Sequence, residues 1–407
     1  MTDMPNLEIE EIAKESGSLS RTCHLRINQK DLITPTRALG ITRSNTSDLD
    51  ALETVIDSKF TPLGEVYAQI SIDFLAKVLE DDNVGKDFSS KLSLRLCQLR
   101  DKGVIPYLSL TLTDSEGTPR NRIPSIKILQ LLYNFLWGTE GNMIIVPPIF
   151  GILNNEREYL KLLTSLEQRQ KANIYRNHKP IMAVIPSSYR LIAPHIIKRY
   201  WENGYRIFAF NCENKKYGAF GYIIEKLQLE LNELSKNDHD EYILHALNSK
   251  LRIGRGDNSR INNLLAPGFG FDAYGPSHGG RQRWRPLDNA PPAIEMNYLF
   301  NRKTYGFHPV SEIMEHQDLF DSILDSSTLK HVKLNQLSSE RPDIVKSVCS
   351  KHNLETSILE IKKFPQLIQN KKIMNHFSTK IRIQEEINQM RKLSGHRNTP
   401  TIDRWLK

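Results

Sequence analysis

Eight short apolar runs, each followed by a longer stretch patterned for a helix, constrain the fold of this chain more than any other feature. The runs are TRALGI (36–41), EVYAQIS (65–71), IPYLSLTL (105–112), MIIVPPIFG (143–151), IMAVIPSS (181–188), RIFAFNC (206–212), KLRIG (250–254) and FGFDAYG (269–275). Most are apolar without interruption, which fits strands buried on both faces better than half-exposed hairpins. FSSKLSLRLCQLRDKG and LIAPHIIKRYWENG lie between them and read as helices stopped by glycine. Strand–helix alternation implies right-handed parallel crossovers. Eight units predict an α/β fold of the (β/α)8 TIM-barrel type rather than an open doubly wound sheet. No GxGxxG or GxxxxGK[ST] loop follows any run, so no nucleotide cofactor is predicted.

The flanking segments complete the layout. Residues 1–20 read as a loose arm, and 21–310 as the barrel with its entry ribbon. Residues 218–249 read as one long exposed helix with a turn at SKNDHDE, and 311–407 as a helical, basic extension. The chain has 407 residues, enough for a large core plus that extension. No apolar run reaches the ~18 residues of a membrane span, and MTDMPNLEIEEIAKESGS lacks the basic and apolar regions of a signal peptide; a cytoplasmic protein is expected. None of the four cysteines has a CxxC partner, so neither zinc nor a disulfide framework is predicted. Between Lys362 and Lys407, eleven Lys/Arg stand against three acids, which accounts for the whole net charge of +8. A basic end on a neutral body suits phosphate binding; a solvated helical face explains it equally well.

Active sites of such barrels sit at the carboxyl ends of the strands. That rule selects Asp114 in LTLTDSEG, Ser187 in IPSSY, Asn211 and Cys212 in FNCEN, the GDNS of 256–259, and Asp272 ahead of YGPSHGG. Two carboxylates on one cavity are what chemistry at an anomeric carbon needs, one attacking and one moving protons. Each residue also has a plainer reading. Asp114 can hold a turn, GDNS can cap a helix, and His278 and His308 can be structural. Asp272, among Gly, Phe, Ala and Tyr, needs either a function or a partner such as an arginine of 281–285.

Taken in order, these motifs resemble the tRNA-guanine transglycosylase superfamily over about 250 residues. HLRINQKDLITPTRALGI matches the family's opening ribbon and its TP step into strand 1. LTDSEG stands where the family has TDSGG, GYRIFAFNCEN where it has a Gly-rich base-binding strand end, and LRIGRGDNS where it has a GVG strand end. FDAYGPSHGGRQRWRP stands where FDCVLPTR holds the nucleophile. The chain departs from the pattern at the second glycine of TDSGG and at the family's second Asp, where IIVPPIFG stands. VQGG has become VIPSSY, and the CxCxxC…H zinc site is missing.

The resemblance implies a base-exchange enzyme that replaces guanine in a nucleic acid with a 7-deazaguanine base. In that scheme Asp272 attacks C1′ to form a covalent intermediate, and Asp114 deprotonates the incoming base. Ser187, Asn211 and Cys212 contact base edges. Arg281, Arg283 and Arg285 hold phosphates, and Trp284 stacks on an exposed base. Without the zinc module, duplex DNA is placed ahead of tRNA as the substrate. Monomer and homodimer both remain open. The rival readings are a non-catalytic member that binds tRNA or a partner protein, and an unrelated barrel glycoside hydrolase.

Overall fold

The computed structural model describes residues 7–41, 61–114, 117, 118, 120–151, 156–173, 179–187, 195–249, 263–278, 297–325, 334–339 and 341–397. Three antiparallel strands open the chain: β1 (Leu7–Lys14), β2 (Arg21–Ile27) and β3 (Lys30–Ile33). Eight parallel strands follow: β4 (Thr36–Ile41), β5 (Leu63–Ser71), β6 (Ile105–Thr113), β7 (Ile144–Ile145), β8 (Met182–Ile185), β9 (Ile207–Asn211), β10 (Ile243–Leu247) and β11 (Ala273–Tyr274). Their order is β7-β6-β5-β4-β11-β10-β9-β8, and an isolated parallel bridge, Ile145 to Ile181, spans the two ends. The sheet is nearly closed into a barrel with helices between strands, as the eight apolar runs predicted.

Two expectations are corrected. The arm is not loose, since Leu7–Lys14 pairs with β2. LEIEEIAK opens with the two-residue period of a strand, so Leu7 and Ile9 pack on the barrel-interior cluster while Glu8 and Glu10 are exposed. The 218–249 stretch is not one helix. The helix Gly221–Asp238 stops at His239, which takes a left-handed φ of 55°, and β10 follows at 243–247. The expected strand KLRIG begins at 250, outside the described residues. The true strand, ILHAL, was hidden between polar flanks and was too short to stand out.

Ala38, Leu63, Ile105, Ile144, Met182 and Ile207 fill the lower part of the lumen, and Leu25, Ile27 and Leu32 of the ribbon close the amino end beneath them. A second core lies between the strands and the helices. It continues without a break into Ile358, Ile361, Phe364, Phe377 and Met390 of the C-terminal helices. Each such side chain contributes about 1.5–3 kcal/mol on full burial, so the extension is bound to the barrel as one packed unit.

This changes the reading of the basic tail. Glu360, on the helix Pro342–Ile361, is buried and collects Arg302 (3.1 Å), Lys363 (3.4 Å), Lys380 (3.7 Å) and His376 (2.7 Å), with the Tyr305 hydroxyl donating at 2.8 Å. Lys363 and Lys380 are therefore structural cations. Deleting 362–407 would strip the core and not merely a binding surface. A cleaner test replaces the exposed Lys371, Lys372 and Lys392 by alanine. If these meet phosphates, the slope of log affinity against log salt should fall by about 0.7–0.9 per lost contact in a nucleic-acid titration, and an unchanged slope would leave them a solvated face. Among the described residues, no helix is long and apolar enough to cross a membrane.

Candidate functional site

Asp272 does not lie at the carboxyl mouth. It precedes β11, level with the start of β10, where its N–H donates to the Leu244 carbonyl at 2.8 Å and its Oδ2 accepts from the Leu244 N–H at 2.7 Å. Its carboxylate is gripped by Arg21 of the ribbon, Nε to Oδ1 at 2.9 Å and Nη2 to Oδ2 at 2.7 Å. The same guanidinium donates to the Tyr242 carbonyl at 2.6 Å and lies 4.0 Å from the centre of the Tyr242 ring. Burial pushes the Asp272 carboxyl up from its ordinary value, and the Arg21 charge pulls against that push. The side chain is 1% exposed. The partner is thus an arginine, Arg21 of β2, while the arginines of 281–285 lie outside the described residues. Among the described residues this carboxylate is held in a fork at the amino end of the barrel, away from the carboxyl mouth.

Asp114 does stand at the carboxyl end, just after β6. Its Oδ1 accepts from the Thr118 N–H at 2.9 Å and its carbonyl from the Gly117 N–H at 3.1 Å, so it organises its own turn. The strands run parallel, so Asp114 and Asp272 occupy opposite ends and do not share a cavity. Cys212 points outward into the strand–helix core, where burial pushes its thiol up; its Sγ lies 3.7 Å from the Phe210 carbonyl. That orientation turns the thiol away from the lumen. Arg281, Arg283, Trp284, Arg285 and GDNS lie outside the described residues. His308 sits on the distal hairpin strand β13 (Gly306–Pro309), paired with β12 (Tyr298–Asn301), and faces Glu312 at 3.5 Å.

Ser187 and Asn211 are brought together. The Ser187 hydroxyl donates to Glu213 Oε1, and Asn211 Oδ1 accepts from the Glu213 N–H at 3.0 Å. Lys215 holds the other Glu213 oxygen at 2.9 Å. The ends of β9, β10 and β11 are laced alongside. Asn214 Oδ1 accepts from the Ser277 hydroxyl at 2.6 Å, and Asn248 Oδ1 from the His278 N–H at 2.8 Å. Glu213, Asn214 and Asn248 adopt left-handed φ values of 48°, 57° and 53°. Asparagine tolerates this region, but for glutamate it costs about 1–2 kcal/mol, which the surrounding bonds must offset. The result is a hydrogen-bonded polar rim in which Glu213 is tied to Ser187, Asn211 and Lys215.

Below the rim the lumen holds charge. Glu65 of β5 is fully buried; its Oε1 meets His278 Nε2 at 2.6 Å and its Oε2 meets the Tyr107 hydroxyl at 3.3 Å. Tyr107 also lies 3.0 Å from His245 Nε2. The ring of Tyr67 stacks on His278, centroids 3.9 Å apart and planes inclined by 13°. Burial pushes the His245 imidazole down to about 4, so it is neutral at neutral pH. Gly275, just beyond β11, makes the room. A Cβ on Gly275 would stand 2.9 Å from Glu65 Oε2 and 3.4 Å from His245 Nε2. Gly275→Ala should therefore destabilise the chain by about 1–3 kcal/mol, read as a lower thermal midpoint. Of this cluster only His278 stood out in the sequence. The cluster's further signal was a glutamate inside EVYAQIS and a histidine inside ILHAL, charged or polar residues within otherwise apolar strands.

Comparison with known proteins gave no matching family model and no matching curated protein. The resemblance to transglycosylases therefore rests on the ordered motifs of this sequence.

Proposed function

We propose that the chain is a nucleobase-handling barrel enzyme whose reaction is base exchange on nucleic acid at the carboxyl mouth. The observation that carries this reading is the convergence of Ser187, Asn211 and Glu213, which gives an acceptor carboxylate between hydroxyl and amide groups above a buried acid–base cluster. A carboxylate so placed accepts from the N–H edge of a purine-type base, while serine and asparagine complete a planar edge contact. The covalent step through Asp272 is not part of the proposal, because that side chain is committed to Arg21 at the opposite end.

The test is incorporation of radiolabelled guanine into tRNA or duplex DNA. Glu213→Gln removes the charged acceptor and should raise the KM for guanine roughly ten- to hundredfold, the equivalent of about 1–3 kcal/mol for one base-edge pair. No incorporation by the wild type into either polymer would sink the reading. The Asp272–Arg21 fork favours a second reading, a non-catalytic binding member of the same superfamily. That reading expects polynucleotide binding with no incorporation.

A further inference from the structure

Four polar side chains in the lumen, Glu65, Tyr107, His245 and His278, form an unbroken hydrogen-bonded chain, and the imidazoles at its two ends each have an Nδ1 without a hydrogen-bond partner among the described residues. Buried polar atoms are nearly always paired, and leaving one unpaired costs about 1–3 kcal/mol. The His278 ring is held more firmly than a structural role requires. Glu65 binds its Nε2, Tyr67 covers its face and Asn248 fixes its backbone N–H. Its side chain is 2% exposed, and it stands just beyond β11 at the end of the barrel where catalytic groups of this fold reside. An imidazole oriented by a carboxylate at one nitrogen and bare at the other is the arrangement of a proton-transferring histidine.

We infer that His278 is the acid–base residue of the mouth and Glu65 its positioning partner, with Tyr107 and His245 holding the second carboxylate oxygen. The inference rests on the base-exchange reading for its substrate. The N–H bond of the incoming base breaks and its proton passes to His278 Nδ1. The bond from C1′ to the outgoing guanine nitrogen then breaks to leave an oxocarbenium ion, and the nitrogen lone pair of the incoming base closes on C1′ from the same face, so the configuration is retained. That guanine leaves with the bonding electron pair and takes the proton back from Nδ1. One proton enters and one leaves, so the histidine ends as it began. Throughout, Nε2–H stays bonded to Glu65, whose charge stabilises the transient imidazolium.

The test uses the full chain. His278→Gln should lower guanine incorporation by about 10²–10⁴-fold, the usual loss for a general acid–base group, with an unchanged thermal midpoint. His278→Gly should regain activity with free imidazole. Glu65→Gln should lower kcat more than it changes KM. Incorporation at the wild-type rate in both His278 variants overturns the inference and leaves base exchange standing. If the wild type incorporates no guanine, base exchange falls, and long-range 1H–15N spectra of ¹⁵N-histidine protein decide the dyad. A His278 ring with its proton on Nε2 and a bare Nδ1, an assignment lost in Glu65→Gln, supports it. A proton fixed on Nδ1 instead, or the same pattern in both proteins, overturns it. A stoichiometric divalent metal in the wild type that Glu65→Gln loses also overturns it, since the cluster would then be a ligand set. The wild-type spectrum needs no variant to fold.

Discussion

Asp272→Asn is expected to destabilise the protein by about 3–5 kcal/mol, the usual consequence of removing one member of a buried ion pair. The amide keeps the shape but leaves the Arg21 guanidinium charged, 4% exposed, and facing a neutral group. Glu11 and Glu241 lie 3.7 and 3.5 Å from Arg21 Nη1 and are too solvated to replace the lost partner. Thermal midpoints of the wild type, Asp272→Asn and Arg21→Met/Asp272→Leu measure this directly. The double variant, which removes both charges, should recover much of the loss because an apolar pair of similar volume avoids the desolvation of two ions. An Asp272→Asn protein that melts with the wild type yet has lost guanine incorporation would return Asp272 to the chemistry.

The Glu360 hub gives the second large effect, and it depends on pH. Burial pushes this carboxyl up, but the His376 bond, the Lys380 charge, the Tyr305 hydroxyl and the Lys363 charge together outweigh burial and hold it at about 2. An unfolded glutamate ionises near 4.5. The folded state therefore favours the carboxylate. Its contribution is complete above about pH 4.5 and disappears as the pH falls toward 2. From the size of that difference it amounts to roughly 3 kcal/mol at neutral pH. Glu360→Gln should lose most of this and leave Arg302, Lys363 and Lys380 facing one another. Melting between pH 2 and pH 6 checks it. The wild type should lose stability across that window, and the variant should lack that component of the acid limb.

The sequence carried the architecture further than it carried the site. Runs such as IPYLSLTL and RIFAFNC are apolar because both faces of a barrel strand are covered, and that cause is local enough to read without a structure. ILHAL was missed because five residues between NDHDE and NSK give no period to count. The site failed for a different reason. Which end of a strand a residue occupies depends on register, and a shift of a few residues carried Asp272 from the mouth to the base. Its arginine lies 251 residues away, and no local pattern signals such a partner. Ser187 and Asn211 were legible because each directly follows or ends an apolar run, whereas Cys212, one residue on, faces the opposite side of the wall. Glu65 and His245 were visible as polar intruders in apolar strands, but nothing in the sequence said that they would meet.

The Arg21–Asp272 fork also has a consequence for the order in which this protein is made. The ribbon leaves the ribosome before the barrel, yet its seat is assembled from Tyr242, Leu244, Asp272 and the carbonyl of Pro267, and its Glu15 receives the N–H groups of Ile373 and Met374. Until the eighth barrel strand, Ala273–Tyr274, has been synthesised, Cys23, Leu25 and Ile27 have no complete lumen to cover. N-terminal segments of many proteins settle during synthesis; this one must wait. The nascent chain thus carries an uncovered β-ribbon edge through most of translation, and capture by a holdase should be strongest for stalled chains that end before residue 272.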